Sequence, residues 1–344
     1  MDIIEVKELE NAKWDEYVWE SPAANPFHLM GWKTVLEMAF DLKPVYLVAK
    51  DGDDIKGILP LIPVNSKLTG RYVTSMPGGL CADNEDTAAD LLEEARELTK
   101  RVQANYLILR DCRQKLDLPY LVTNEDHCTF LVELHADPQE NWYEIKRRVR
   151  QSTKKAMRAE LEVVIGQDFL EKFYPVYAEA LQERGTPTQG INFFRKLIEQ
   201  FPSIFNVVVV CQKDRTLGGG FVALFKDTIY NTWGGMPRQY HDLRTNYLLY
   251  WETLKYGCEN GFQWVDLGRC EWDSGVYKFK KQWAGQPKPL YQQYFLNGIS
   301  RPPAVGNQRK EDFQYRLFIS LWKLLPLPVT EVLGSHLRKH MPFG

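Results

Sequence analysis

Between Asp266 and Gly285 the chain reads DLGRCEWDSGVYKFKKQWAG, a concentration of charge, glycine and large aromatics where a strand should end. An apolar run, Trp264 to Leu267, stops at Gly268 and Arg269. Gly275 follows, and then Tyr277, Lys278, Phe279, Lys280, Lys281 and Trp283. Glycines let a backbone take positive φ or approach a ligand closely, and lysines beside aromatic walls suit an anionic or sugar-like ligand. Lys280, in a partly dry pocket, could stabilise an oxyanion or a phosphate. Asp266, at the strand end, could accept the proton of an attacking amine. Trp233, Tyr277 and Trp283 could stack on a sugar ring. Each reading has a plainer rival: a stem-packed surface lysine, an Asp266–Arg269 ion pair, and ordinary core aromatics. If residues 277–281 are extended, Lys280 stands at the mouth of a cleft and Lys281 points to the other face.

Two further stretches carry charge in a pattern. The segment GMPRQYHDLRTN, Gly235 to Asn246, puts Arg238, His241, Arg244 and Asn246 where a strand turns into a helix, a position that attracts anions. The equivalent earlier segment, GLCADNEDT, is acidic and hostile to phosphate. A basic helix, Gln139 to Glu160, places Trp142, Ile145, Val149 and Ala156 on one side and Arg147, Arg150, Lys154 and Arg158 roughly opposite. No glutamate interrupts Lys146 to Arg158, which favours anion binding over a merely solvated face.

These stretches sit in a repeated plan. The first copy runs from a helix near Trp32 to Ala39 through strands Val45–Ala49 and Ile55–Val64, a strand ending at SMPGG, a helix from Thr87, and strand Tyr106–Asp111. The second runs from helix Asn192–Glu199 through strands Val207–Val210 and Gly219–Phe225, a strand ending at NTWGG, a helix from Thr245, and strand Trp264–Arg269. Matched landmarks are offset by 161 (Gly57 to Gly218), 156 (Gly79 to Gly235) and 158 (Tyr106 to Trp264), so one α+β unit occurs twice. Hairpins at Lys50–Asp54 and Lys213–Thr216 are too short for parallel crossovers, so a doubly wound sheet fits less well. The order matches the GCN5-related N-acyltransferase (GNAT) unit. The expected fold is therefore α+β, two such domains with a cleft between them: 1–137, a basic linking helix 138–160, 161–298, and a basic amphipathic tail 299–344. That tail either lies on an anionic membrane surface or closes onto the first copy.

Composition bounds the partners. The 344 residues are 44% hydrophobic and 13% aromatic, enough for large cores, and 43 basic against 45 acidic side chains argue against wholesale coating of nucleic acid. From Lys278 onward, however, eleven Lys or Arg face three Asp or Glu. The six cysteines form no CxxC pair, and His336 and His340 lack a third ligand, so no metal site is expected. No apolar window reaches the roughly 18 residues of a membrane span, and the first ten residues have no apolar signal core. The expected location is cytoplasmic, with peripheral contact at the inner face of the membrane through the tail.

The stretch DLGRCEWDSGVYKFKKQWAGQPKPLYQQY, preceded by NYLLYW, resembles the C-terminal half of FemAB-like proteins, in particular the subgroup associated with PEP-CTERM/exosortase exopolysaccharide loci. The shared positions are Asp266, Gly268, Arg269, Ser274, Gly275, Phe279, Lys280, Trp283, Pro287, Leu290 and Tyr291. Cys270 stands where serine is usual, and Ala284 is extra. The resemblance implies a tandem acyltransferase that moves an aminoacyl or acyl group onto an amine of a cell-wall (peptidoglycan) or exopolysaccharide precursor. It implies that Lys280 contacts phosphates and transition-state charge and that Arg184 lies near a sugar-nucleotide. Trp32 matches a helix tryptophan of the first copy, and Asp111 is a guess for a carboxylate at the acceptor. With Arg269, Arg238, Arg244 and Asn246, these make up the candidate substrate-binding set. Neither strand-to-helix turn has a glycine cradle, so the donor is either aminoacyl-tRNA, with tRNA as a partner, or acyl-CoA bound unconventionally. The rival reading is a non-catalytic module that docks a nucleotide-sugar, a polysaccharide precursor or a partner protein.

Overall fold

A computed structural model describes residues 2–6, 11–66, 70–304 and 312–340. The chain forms two compact units, one from residues 1–127, 289–306 and 336–344, the other from residues 128–288 and 307–335.

The first unit contains β1 (Asp2–Glu5), α1 (Asn11–Glu20), α2 (Gly31–Phe40), β2 (Val45–Asp51), β3 (Asp54–Ser66), β4 (Gly70–Pro77), β5 (Cys81–Ala82), α3 (Glu85–Arg101), β6 (Tyr106–Cys112) and the start of β7 (Leu121–Glu133). Strands β1 to β4 form an antiparallel run, and β6 then joins β4 in parallel. The helix between them starts where the sequence specifies it: the Asn84 side chain accepts from the Thr87 amide at 2.9 Å, acids occupy the first turn, and Lys100 and Arg101 the last. Its apolar stripe of Leu91, Leu92, Ala95 and Leu98 buries against Leu47, Leu59, Leu61, Val73, Leu107 and Leu109 of the sheet.

The second unit repeats the order. It contains the end of β7, α4 (Pro138–Glu144), α5 (Arg147–Arg158), β8 (Glu162–Gly166), α6 (Leu170–Arg184), α7 (Ile191–Gln200), β9 (Phe205–Gln212), β10 (Arg215–Phe225), β11 (Thr228–Gly235), α8 (Thr245–Glu259), β12 (Trp264–Asp266), β13 (Cys270–Glu271), α9 (Gly275–Lys280), the start of β14 (Gln286–Leu296), α10 (Phe313–Leu324) and most of α11 (Leu327–Arg338). Strands β8 to β11 are antiparallel, and β12 joins β11 in parallel through Thr228–Trp264, Ile229–Val265 and Tyr230–Asp266. One sheet face packs Val208, Val210, Val222, Ile229 and Val265 under α5 and α8. The other carries a stack of rings, Phe173, Tyr177, Phe193, Phe194, Phe205, Phe221 and Trp233, with centroid spacings from 5.0 to 6.4 Å. Helix α6 lies close on that face because Gly235 has no side chain; a Cβ there would stand 2.8 Å from the Tyr177 Cα.

Three expectations need correction. The units do not follow the linear division at 137, 160 and 298. After β6 the chain sends β7 antiparallel to β12 of the second unit, and after β12 it sends β14 antiparallel to β6 of the first, so each unit is completed by a strand from the other half of the sequence. The helix expected at 138–160 breaks at Ile145–Lys146, where extended backbone separates α4 from α5, and α5 packs on α8 instead of linking domains. The tail meets the first copy at its end and not through α10: the Tyr72 hydroxyl donates to the His340 carbonyl at 3.0 Å within the first unit, whereas Ile319 of α10 lies against Gly185 and Gln182 of α6 donates to the Leu325 carbonyl within the second. Residues 305–311 and 341–344 of that tail lie outside the described residues.

Candidate active site

The second unit brings the chemistry-bearing residues together where β11 and β12 part. Strand β11 pairs with β10 along its length to Gly235, but β12 follows it only to Tyr230. From Asn231 on, the β11 edge facing away from β10 meets no ladder partner on β12. A β-bulge at Thr232 sits at the same point: Phe221 pairs with Trp233, Val222 with Asn231, and the extra Thr232 hydroxyl donates to the Phe221 carbonyl at 2.6 Å. Bulges re-aim strand groups in this way. Side-chain alternation puts Asn231 on the α8 face, like Val222 and Ile229. Its amide Nδ2 is buried without a hydrogen-bond partner. In the first turn of α8 the Asn246 Oδ1 is likewise buried and unbonded, as is the indole nitrogen of Trp283. The Asn231 donor, left open next to the Gly268 turn, is the kind of group a polar ligand satisfies.

The strand end below the opening is held by an interior polar network. Asp266 is buried and accepts from the Thr129 hydroxyl and, at 2.8 Å, from the Gly268 amide. Gly268 takes φ +80°, and a Cβ on it would fall 2.5 Å from the Asn231 carbonyl oxygen, so only glycine fits. Lys280 is 4% exposed and donates to the Gly268 carbonyl at 2.7 Å and the Arg269 carbonyl at 3.1 Å. Burial lowers its pKa, against the opposing pull of Cys270, Asp266 and Cys128. The thiols of Cys128 and Cys270 are 3.7 Å apart, and burial pushes Cys128 up to about 12. Tyr250 is also raised by burial, and the charge of Arg184 acts on it in the lowering direction. Arg184, Tyr250, Cys270, Lys280 and Asp266 thus form one electrostatic neighbourhood.

This differs from the exposed cleft lysine read from the sequence. Ser274 caps the amide of Tyr277 at 3.1 Å, and residues 275–280 are helical, not extended. Lys280 therefore turns inward while Lys281 stays in solvent, 5.7 Å from the Tyr277 ring. Trp283 is 0% exposed, walled by Tyr247, Tyr250 and Phe279. Tyr277 is buried against Phe130, and Trp233 belongs to the ring stack on the α7 face. All three have the surroundings of core aromatics. In the first unit, Trp32 is 0% exposed, donates to the Pro26 carbonyl at 2.8 Å and stacks on Phe27, so it is core as well. Asp111, also in the first unit, has φ +51° and accepts from Gln292 at 2.6 Å.

The turn before α8 has its own geometry. Arg238 opens a 3₁₀ turn, and its amide donates at 2.9 Å to the carboxylate of Glu183, so an acid sits where a phosphate would have to sit. Arg244, at φ +62°, precedes α8 with no side-chain cap. Arg184, Arg238, Arg244 and Arg269 are exposed. Sequence reasoning missed Asn231, Thr129, Tyr250 and Glu183. Asn231 was visible only as a polar residue in the NTWGG strand end.

Helix α5 presents Arg147, Arg148, Lys154, Lys155 and Arg158 to solvent, with Lys146 just before it, and none pairs with a carboxylate among the described residues. Arg150 does not join them; its guanidinium donates to the Trp142 and Tyr143 carbonyls at 3.2 and 2.8 Å, satisfying the end of α4. No group of three His, Cys, Asp or Glu among the described residues could hold a metal ion.

This architecture, an antiparallel run ending in two parallel strands that part around a helix start, is that of a GNAT-fold protein. Residues 143–281 match the family model described as an acetyltransferase (GNAT) domain, a span that runs from the end of α4 through α9. Among solved structures, FemX aligns with a TM-score of 0.66 at 13% identity, over 87% of this chain and 98% of that one. L-PGS from Bacillus licheniformis aligns at 0.57 and 11% identity, over 92% and 97%. A tandem GNAT protein from the clavulanic acid biosynthesis pathway aligns at 0.55 and 11%, over 85% and 97%. No curated protein matches the chain in sequence. The chain is thus a tandem of GNAT-type domains, as its internal repeat implies, with the matched acetyltransferase-type domain in the second copy.

Proposed function

We propose that the protein is an N-acyltransferase that moves an aminoacyl group from aminoacyl-tRNA onto an amine of a cell-wall or exopolysaccharide precursor. The observation that carries this reading is the parting of β11 and β12 beyond Tyr230 and Asp266. It ends the β12 ladder just before Asn231, whose side-chain Nδ2 is buried and unbonded. An amide donor fixed on a strand stabilises the oxyanion of an acyl-transfer intermediate without reorganisation. Lys280 and Asp266 act as positioning residues: by holding Gly268 from both sides they fix the backbone that forms the wall opposite Asn231.

Two observations favour tRNA over acyl-CoA as donor. The amide that opens the turn before α8 is already taken by Glu183, and that turn has no glycine cradle for a pyrophosphate. The unpaired cations of α5 and Lys146 suit a polyanion, whose phosphates they would meet by charge alone. The acceptor class rests on the resemblance of residues 266–291 to FemAB-like proteins, including the PEP-CTERM-associated subgroup, and on the structural likeness to FemX. Calorimetric titration separates the donors. Aminoacyl-tRNA should bind with an affinity that falls steeply with salt, and acetyl-CoA should give no micromolar binding. Micromolar acetyl-CoA affinity with none for tRNA would overturn the choice of donor.

A further inference from the structure

Helices α10 and α11 keep apolar side chains on the faces turned away from the protein. In α10 the inward stripe is Tyr315, Ile319 and Trp322, with Ile319 against Gly185. Phe313, Leu317, Leu321 and Leu324 lie within roughly 80° of one another at about 100° per residue, on the opposite side. They are exposed by 68%, 46%, 55% and 80%. Helix α11 repeats the pattern: Thr330 and Gly334 face inward, with Gly334 against Thr188, while Val329, Val332 and Leu333 are exposed. Half of the sixteen exposed large hydrophobics among the described residues belong to these two helices. A surface helix whose partner is water alone carries polar residues on that side.

The charges that flank the stripe select its partner. Arg316 and Lys323 border the apolar face of α10, and Phe313 to Leu324 contains no acid. On α11 the acid, Glu331, sits towards the inward side and is only partly exposed, whereas the outward face carries His336. Leucines and phenylalanine edged by cations are the composition of a helix lying in the plane of a bilayer interface, with its cations at anionic headgroups. Neither helix is long and apolar enough to cross a membrane, so the contact is planar. We propose that α10 and α11 dock the protein on an anionic phospholipid surface. This inference is independent of the reading of the active site, which lies on other elements.

Co-sedimentation with vesicles tests it, using the full chain, phosphatidylglycerol–phosphatidylcholine vesicles and pure phosphatidylcholine vesicles. The full chain should sediment with the anionic vesicles and at least about tenfold less with neutral ones, as expected for two or three cations near a charged surface. The double variant Leu317→Glu/Leu321→Glu alters only exposed positions and should weaken binding about tenfold or more while keeping the wild-type circular dichroism. Arg316→Glu/Lys323→Glu should abolish only the preference for anionic lipid. Absence of vesicle binding by the wild type would overturn the proposal. So would self-association, measured by analytical ultracentrifugation, that Leu317→Glu/Leu321→Glu abolishes while lipid binding is unchanged, since a second copy would then be the partner of the stripe.

Discussion

Lys280 shows how far burial changes a residue's meaning. Its ammonium is bonded to two carbonyls of the turn that follows β12, so it holds backbone in place rather than meeting solvent. Lys280→Ala would leave those carbonyls buried without a donor, and should cost about 3 kcal/mol of stability. Lys281→Ala, at an exposed position, should stay within about 0.5 kcal/mol. Denaturant titration measures both, and equal effects would refute the positioning role. The depressed pKa adds a pH signature. The fold disfavours the charged lysine relative to the unfolded chain, so the penalty is complete below the folded pKa and is relieved as pH rises towards the ordinary 10.5. Wild-type stability should therefore climb relative to Lys280→Met as pH rises from the lowered folded pKa towards the ordinary one; parallel profiles would contradict it. The sequence shows Lys280 beside aromatics but not that Ser274 caps a helical turn that rotates it inward. For the same reason Tyr277 and Trp283 read as ligand platforms and are core: composition names the ring but not the side it faces.

At the scale of elements the repeat was legible because period and spacing are local properties. The helices from Thr87 and Thr245 and the strands at Tyr106 and Trp264 fall where the apolar pattern put them. Helix α5 was legible as basic, but the inward turn of Arg150 was not, since it depends on the break at Ile145 that leaves the carbonyls of α4 open. Charge reversal of Arg147 and Arg148 should keep the helical circular dichroism, because both side chains are in solvent. It should also weaken tRNA binding and flatten its salt dependence by about one unit of log-log slope for each phosphate that is no longer neutralised. Unchanged binding in a filter assay would remove α5 from the donor site.

For the whole molecule, the exchange of β7 and β14 was the feature hidden from sequence. A strand's period of two says which face it buries, not which distant strand it pairs with. The consequence is testable. A fragment of residues 1–137 lacks β14, and with it Leu290, Tyr294 and Phe295, leaving the β6 edge open. It should be insoluble or lack a cooperative thermal transition, and a peptide of residues 286–298 should restore solubility. A cooperative, soluble 1–137 fragment would show that the linear division was sufficient.

The central claim, acyl transfer from tRNA to an amine, is tested most directly by intact-mass spectrometry of the acceptor. Purified protein is incubated with a nucleotide-linked muropeptide or an amino-sugar precursor, first with aminoacyl-tRNA and then with acetyl-CoA. The predicted result is an acceptor heavier by one aminoacyl residue with the first donor only, an increase that disappears when Gly268→Ala displaces the backbone opposite Asn231. An acetylated acceptor would contradict the donor, and an unchanged acceptor with every donor and amine would contradict the enzyme.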